Sequence, residues 1–352
     1  MFGRRIKLLT LISIVFLTFM LPEAALPERI TFASHTVGTS NHAITTALCK
    51  VSSEHSGIFV VVSPTSGASS WVPLMQKSGK PEIGMAHILD AWWAYTGKIS
   101  PIPLPGNPLG TKPFYDASPN LRVLVAGPRM WVGMIAKANA PFKTVREAAG
   151  KRIAGGFAAH VGAYAPLVAC LHNVGLREAD FDVVIVPGAE AGVRALMEGR
   201  IDLCSGSVGM PVVSEANTTI GVRFLMTSMD SKGIKAVKEV FPGATVQVRS
   251  PGPAGINEPT PLLNYPLMPI TSTHLPDEAA YKLVKTWWDH HKETWPIHPA
   301  CKGWEPKDFV IKDVTVPYHS GAIKFYKERG AWDAEMDTIQ ARLLKGEYPF
   351  LD

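Results

Sequence analysis

Short apolar runs alternate with stretches of helical periodicity from Ile30 onward, and the alternation occurs in two separate series. In the first, Ile30–Ser34, Phe59–Ser63 and Ile83–Ala86 read as buried strands. A helix is expected over Asn41–Glu54, with Ile44, Ala47, Leu48 and Val51 on one face, and Gly57 stands beyond its end where a left-handed residue is wanted. A short helix with Leu74 and Met75 follows the second strand, and a helix with Trp92, Trp93 and Tyr95 follows the third. In the second series strands are expected at Arg152–Gly155, Phe181–Val186 and Ile201–Cys204, with helices ending near Asn173 and at Glu198. Strand–helix repetition of this kind satisfies its backbone as a parallel sheet covered by helices. The fold class is therefore α/β, built from two βαβαβ halves.

Between the halves, Pro101–Pro119 carries six prolines and reads as a surface excursion. Leu121–Ala126 and Trp131–Ala136 are further expected strands, with Gly127-Pro128 between them as a hinge. Thr144-Val145-Arg146-Glu147 has capping-box spacing ahead of a short helix. The last third does not repeat the unit. Val222–Ser228 reads as a strand crossing back to the first half, and Pro276–Glu293 as a helix with Ala280, Leu283, Val284, Trp287 and His291 on one face. A final helix pair carries Tyr326 and Trp332. Such a tail would pack on the first half and brace the hinge.

A chain of 352 residues is long enough for about two cores. The expected division puts 26–125 and 226–352 in one lobe and 126–225 in the other. Residues 1–25 read as a signal peptide: Arg4, Arg5 and Lys7 precede an apolar run from Leu8 to Leu21, shorter than the roughly 20 residues a spanning helix needs. Cleavage near Ala25 would make the chain a periplasmic protein, although an uncleaved anchor is the alternative. A net charge of +5 spread along the chain, without an Arg/Lys stripe, argues against nucleic acid as a partner. Cys49, Cys170, Cys204 and Cys301 show no C-x-x-C spacing, and buried thiols suit the first three best.

In open α/β sheets ligands sit at the carboxyl ends of the strands. Six loops reach that edge: 35–41, 65–70 and 87–90 from the first half, and 156–162, 187–190 and 205–210 from the second. They are rich in donors and poor in acids and nucleophiles. Ser205-Gly206-Ser207-Val208-Gly209 lacks the G-x-S-x-G spacing, His290-His291 with Glu293 lacks an H-E-x-x-H pair, and no phosphate-loop glycine pattern occurs. His35, His87 and His160 lie on edge loops without a matching carboxylate or thiolate set, so no metal, cofactor or catalytic residue is expected.

From about Ile30 to Gly330 the chain resembles the TAXI family of extracytoplasmic solute-binding proteins, receptors of TRAP-type secondary transporters. Ala33–His42 is similar to that family's glycine- and threonine-rich first loop, with Gly38 and Ser40 retained. Thr65–Ser69 is similar to its T-G-G-S-like loop, and Pro81–His87 to its A-D-L-A-F-V-Q strand end, His87 standing where an amide is usual. Ala149–Gly155, Ala195–Leu203, His274–Lys285 and Pro317–Glu328 resemble further family segments in order. The resemblance implies a type II periplasmic-binding-protein fold, two α/β lobes joined by a hinge with the ligand cleft between them. It also implies a small organic acid as ligand and a TRAP-type membrane permease as partner.

The residues agree with an anionic ligand. Helix N-termini at Asn41, Ser69 and His160 would each bring partial positive charge to the cleft. The expected contacts are Val37, Gly38, Thr39, Ser40 and Asn41 on the first loop, then Ser66, Gly67, Ala68 and Ser69 on the second. His87 closes the first half. From the second half come Phe157, His160 and Val161, with Ser205 and Ser207. Trp71 is either an apolar wall or a packing residue, and Arg152 reads as structural. A sensor for a membrane signalling protein and an enzyme on the same fold are the competing roles.

Overall fold

A computed structural model describes residues 29–98, 113–157 and 161–347. The expected signal segment, most of the proline-rich excursion and His160 lie outside these residues. The first series forms as its periodicity predicts: β1 (Arg29–Ser34), α1 (Ser40–His55), β2 (Phe59–Pro64), α2 (Ala68–Ser78), β3 (Ile83–His87) and α3 (Ile88–Thr96). β1 pairs in parallel with β2 and with β3. Beyond β4 (Leu121–Val123) and β5 (Arg129–Lys137) comes the second series, β6 (Arg152–Gly156), α4 (Val161–Asn173), β7 (Asp182–Val186), α5 (Ala189–Met197) and β8 (Leu203–Ser207). β6 pairs in parallel with β7 and β8. The capping box at Thr144 is real: Glu147 N–H donates to Thr144 Oγ1 and Thr144 N–H to Glu147 Oε2, both at 3.2 Å. It opens only a 3-10 turn, Arg146–Ala148.

The remainder comprises α6 (Pro211–Thr219), β9 (Val222–Phe224), α7 (Ser231–Val240), β10 (Thr245–Arg249), β11 (Thr260–Ser272), α8 (Asp277–His290), α9 (Ser320–Glu328) and α10 (Ala334–Leu344). The main strand order is β2-β1-β3-β11-β5-β8-β6-β7. β11 joins the two parallel sets by pairing with β3 through Leu267–Ile270 and with β5 through Leu263–Pro266, antiparallel in both cases. The chain therefore does not cross back at Val222–Ser228, because β9 stays antiparallel to β5. The sequence hides β11 because Pro261, Pro266 and Pro269 each remove a ladder donor. Their carbonyls remain acceptors, and Leu124 N–H donates to Pro269 O at 3.0 Å while Thr227 N–H donates to Pro261 O at 3.2 Å.

The second crossing is the expected Gly127-Pro128 link between β4 and β5. Gly127 N–H donates to Leu267 O at 2.7 Å and Leu267 N–H to Pro128 O at 3.1 Å, so the two crossings are bonded to each other. A Cβ at Gly127 would stand 2.9 Å from Leu267 O, and only glycine allows this approach. The tail packs on this crossing. Tyr326 OH donates to Leu124 O at 2.7 Å, Trp304 Nε1 to Ala126 O at 2.9 Å, and Ala126 N–H to Phe309 O at 2.9 Å. α8 docks on α1 by its apolar face, where Trp287 Nε1 donates to Ser52 Oγ at 2.8 Å. Trp332 lies between α9 and α10, with its ring 5.4 Å from Tyr318. All four cysteines are buried free thiols.

Candidate functional site

A cavity of about 70 Å³ lies between the two parallel sets, at the carboxyl ends of their strands. Its walls include the first turns of three helices: Ser40 and Asn41 of α1, Gly162 and Ala163 of α4, and Ala189 of α5. First-turn N–H groups have no partner within their own helix and form the positive end of its dipole. Ser205 and Ser207 at the end of β8 add hydroxyls, and His35, Thr39 and His87 complete the polar lining. The two crossing strands supply an apolar wall of Met130 and Val132 from β5 and Tyr265 and Leu267 from β11. Among the described residues, none of the lining side chains is Lys, Arg, Asp or Glu.

The polar groups are held in fixed directions. Thr39 caps α1, its Oγ1 accepting from His42 N–H at 3.2 Å and donating to Thr36 O at 2.7 Å. Asn41 pins the loop to β3, with Oδ1 accepting from His35 N–H at 3.0 Å and Nδ2 donating to Met85 O at 3.2 Å. Ser40 Oγ lies 2.8 Å from Ser207 Oγ and 2.9 Å from His298 Nε2, a bond from the first series to the second. His298 Nδ1 accepts from Ala300 N–H, which assigns the ring proton to Nε2. Burial holds His298 down to about 4, so the imidazole is neutral at pH 7.

His87 makes the other bridge. Its Nδ1 caps α3 by accepting from Asp90 N–H at 3.0 Å, and its Nε2 donates to Gly162 O at 2.6 Å. Burial lowers its pKa to about 4, partly offset by the Gly162 carbonyl. Behind it sits Asp90, whose Oδ1 accepts from Tyr115 OH at 2.5 Å while Oδ2 has no hydrogen-bond partner among the described residues. Burial pushes this carboxyl up to about 6, against the bond from Tyr115.

Six of the expected contacts line the cavity: Thr39, Ser40, Asn41, His87, Ser205 and Ser207. Ser205 and Ser207 belong to strand β8 instead of a loop. Val37 is 65% exposed, and Gly38 turns away beside Glu190. The second loop is displaced from the cavity: Gly67 precedes α2, Ala68 is buried beneath it, and Ser69 is exposed. Ser66 faces a shallow groove with Thr36 and residues 187–191. The N-terminus of α5 thus takes the place expected for α2. Phe157 is fully buried against Tyr164 and does not reach the cavity. His160 and the Val161 side chain lie outside the described residues. Trp71 is a packing residue, its ring pressed against Gly84. Arg152 is structural, its guanidinium bonded to both Asp202 oxygens.

The residues missed by sequence reasoning are His298 and the crossing-strand wall. His298 sits between Pro296 and Pro299 in an irregular stretch 258 residues from Ser40, with no local pattern to mark it. Tyr265 and Leu267 were hidden with β11.

Solved structures share this fold. The chain is similar to Rpa4515 of Rhodopseudomonas palustris, solved with adipate, at 15% identity and a TM-score of 0.52, covering 91% of this chain and 96% of that one. It is similar to MatC from Rhodopseudomonas palustris, solved with bound malate, at 11% identity and a TM-score of 0.52, covering 90% and 100%. The periplasmic binding protein BugD aligns at 14% identity over 91% and 96%, with a TM-score of 0.48. The chain thus has a mixed α/β fold, a central sheet covered by helices, and shares it with Rpa4515 and MatC. Residues 32–330 match the NMT1-like family, and the chain belongs to that family.

Proposed function

We propose that this protein is an exported receptor that encloses a small organic acid between two lobes and delivers it to a TRAP-type permease. The observation that carries the reading is the convergence of three helix N-termini and the hydroxyls of Ser40, Ser205 and Ser207 on one cavity that has no charged lining side chain among the described residues. Carboxylates suit oriented N–H and O–H donors, because each bond to a charged acceptor is about twice as strong as a neutral one. The lobes of this reading are residues 29–123 with 267–347, and residues 129–266, meeting at the bonded crossings. In this reading the chain returns to the first lobe at β11, where the sequence alone put the return near residue 226. Ser40–Ser207 and His87–Gly162 hold the lobes closed.

Binding fits the histidines better than catalysis does. Both nitrogens of His87 are engaged in the fold, so it offers no free base to a substrate. The proposed partner rests on the resemblance to TAXI receptors, and the proposed export on the basic and apolar N-terminal segment. Among the described residues, no helix is long and apolar enough to cross a membrane.

A thermal-shift screen of organic acids tests the reading, beginning with adipate and malate, the acids named with the two solved neighbours. An acid present at a hundred times its dissociation constant stabilises the fold by about 2.7 kcal/mol. Stabilisation by neutral solutes or amines, with none from any carboxylate, overturns it. Ion-gradient-driven uptake by co-reconstituted permease and receptor then tests the TRAP assignment.

A further inference from the structure

His55, His290 and Glu293 are far apart in sequence and adjacent in space, well away from the cleft. His55 is the last residue of α1, His290 the last of α8, and Glu293 lies in the 3-10 turn His291–Thr294. His55 Nε2 stands 2.9 Å from Glu293 Oε2, and His290 Nδ1 2.8 Å from Glu293 Oε1. The two imidazoles are stacked, with ring centroids 3.7 Å apart and planes 6° from parallel. One ligand atom from each residue lies within 4.8 Å of the others. All three side chains are reachable from solvent, at 30–40% exposure.

We propose that His55, His290 and Glu293 form a binding site for a divalent transition metal of the Zn²⁺ class, joining the C-terminal ends of α1 and α8. Two imidazoles and one carboxylate, with a fourth position left to water, are a donor set that suits Zn²⁺ and its neighbours better than Mg²⁺ or Ca²⁺. Metal–ligand distances of about 2.0–2.2 Å put tetrahedral ligand atoms roughly 3.4 Å apart. The bridging carboxylate therefore has to part from each ring by about half an ångström, and the stack has to open like a book. Exposed side chains at helix ends make that movement by rotation alone.

The scaffold beneath does not have to move. Trp287 is fully buried between α8 and the first sheet set, with Nε1 bonded to Ser52 Oγ one turn before His55. Phe32 of β1 packs on the same indole at 6.4 Å between centroids. Two helix C-termini meet at the cluster, and the negative ends of both dipoles favour a cation there. α1 carries Ser40 of the cavity at one end and His55 at the other, separated by about 22 Å of helix. The metal would therefore clamp the tail to α1 without touching the organic-acid cavity.

Titration of the tag-free mature protein with ZnCl₂ in a calorimeter tests the site; a polyhistidine tag would compete for the metal. One Zn²⁺ per chain is expected, with affinity reduced at least about tenfold in His290→Ala and in Glu293→Gln, and further in a His55→Ala/His290→Ala double variant. Metal-free melting curves establish that each variant is folded, and the zinc-induced rise in melting temperature should disappear with the site. Equal zinc binding by the wild type and a folded double variant overturns the proposal. So does absence of wild-type binding at about 100 µM zinc. Organic-acid binding is measured separately, so failure here leaves the receptor reading intact.

Discussion

Replacing Asp90 with asparagine tests the electrostatics behind the cavity. The carboxyl is 1% exposed, one oxygen takes the Tyr115 hydroxyl, and the other has no donor among the described residues. Its pKa is raised from 3.8 to about 6, chiefly by burial. The folded chain therefore holds this proton more tightly than the unfolded chain. Ionisation costs stability as pH rises through 3.8 toward 6, and the cost is fully present above 6. The gap from 3.8 to 6, at about 1.36 kcal/mol per pH unit, amounts to about 3 kcal/mol at pH 7.5, of which about 1 kcal/mol applies at pH 4.5. Asparagine keeps the shape and the Tyr115 acceptor but carries no charge. Relative to the wild type, Asp90→Asn should gain about 2 kcal/mol between pH 4.5 and pH 7.5. Urea unfolding at several pH values measures this difference and cancels the titration of the surface carboxylates common to both proteins. A difference that stays constant with pH, or a variant that loses ground as pH rises, refutes the reasoning.

Gly84→Ala places a Cβ within 2.3–2.6 Å of three ring atoms of buried Trp71. Overpacking of this kind costs about 1–3 kcal/mol, read as a lower melting temperature, and Trp71→Phe in the same chain should recover part of it. Ser40→Ala removes the hydroxyl shared by Ser207 and His298 and so one bond from each of these buried side chains, at about 1–2 kcal/mol in the closed form. Titration with the acid found in the thermal-shift screen should show binding weakened roughly tenfold. An unchanged dissociation constant would remove the Ser40–Ser207 bridge from the account of closure.

The six expected contacts that line the cavity were legible because each sits at a strand end or helix start, where local chemistry marks the position. Thr39 looks like a capping residue and is one, whereas Asn41 in the first turn of α1 ties the loop to β3, and the place of both in the cavity follows from α1 starting at the sheet edge. The second loop misled for a related reason. Thr65–Ser69 has the same small hydroxyl composition, but α2 is set by the packing of Trp71 on Gly84, which leaves Ser69 exposed. Local composition does not report such a contact. The α5 start at Ala189 carries no hydroxyl at all and reaches the cavity through the placement of its helix.

The sequence by itself determined the two strand–helix series, their parallel pairing and the Gly127-Pro128 crossing, because periodicity and turn chemistry act within a few residues. Only the tertiary structure decided where the chain returns, since the prolines of β11 erase its local strand signal while their carbonyls still bond across the sheet. It also decided which hydroxyls meet. Ser40, Ser207 and His298 are distant in sequence, and so are His55, His290 and Glu293. Their proximity depends on how whole helices pack, a property of the assembled core that short-range patterns do not encode.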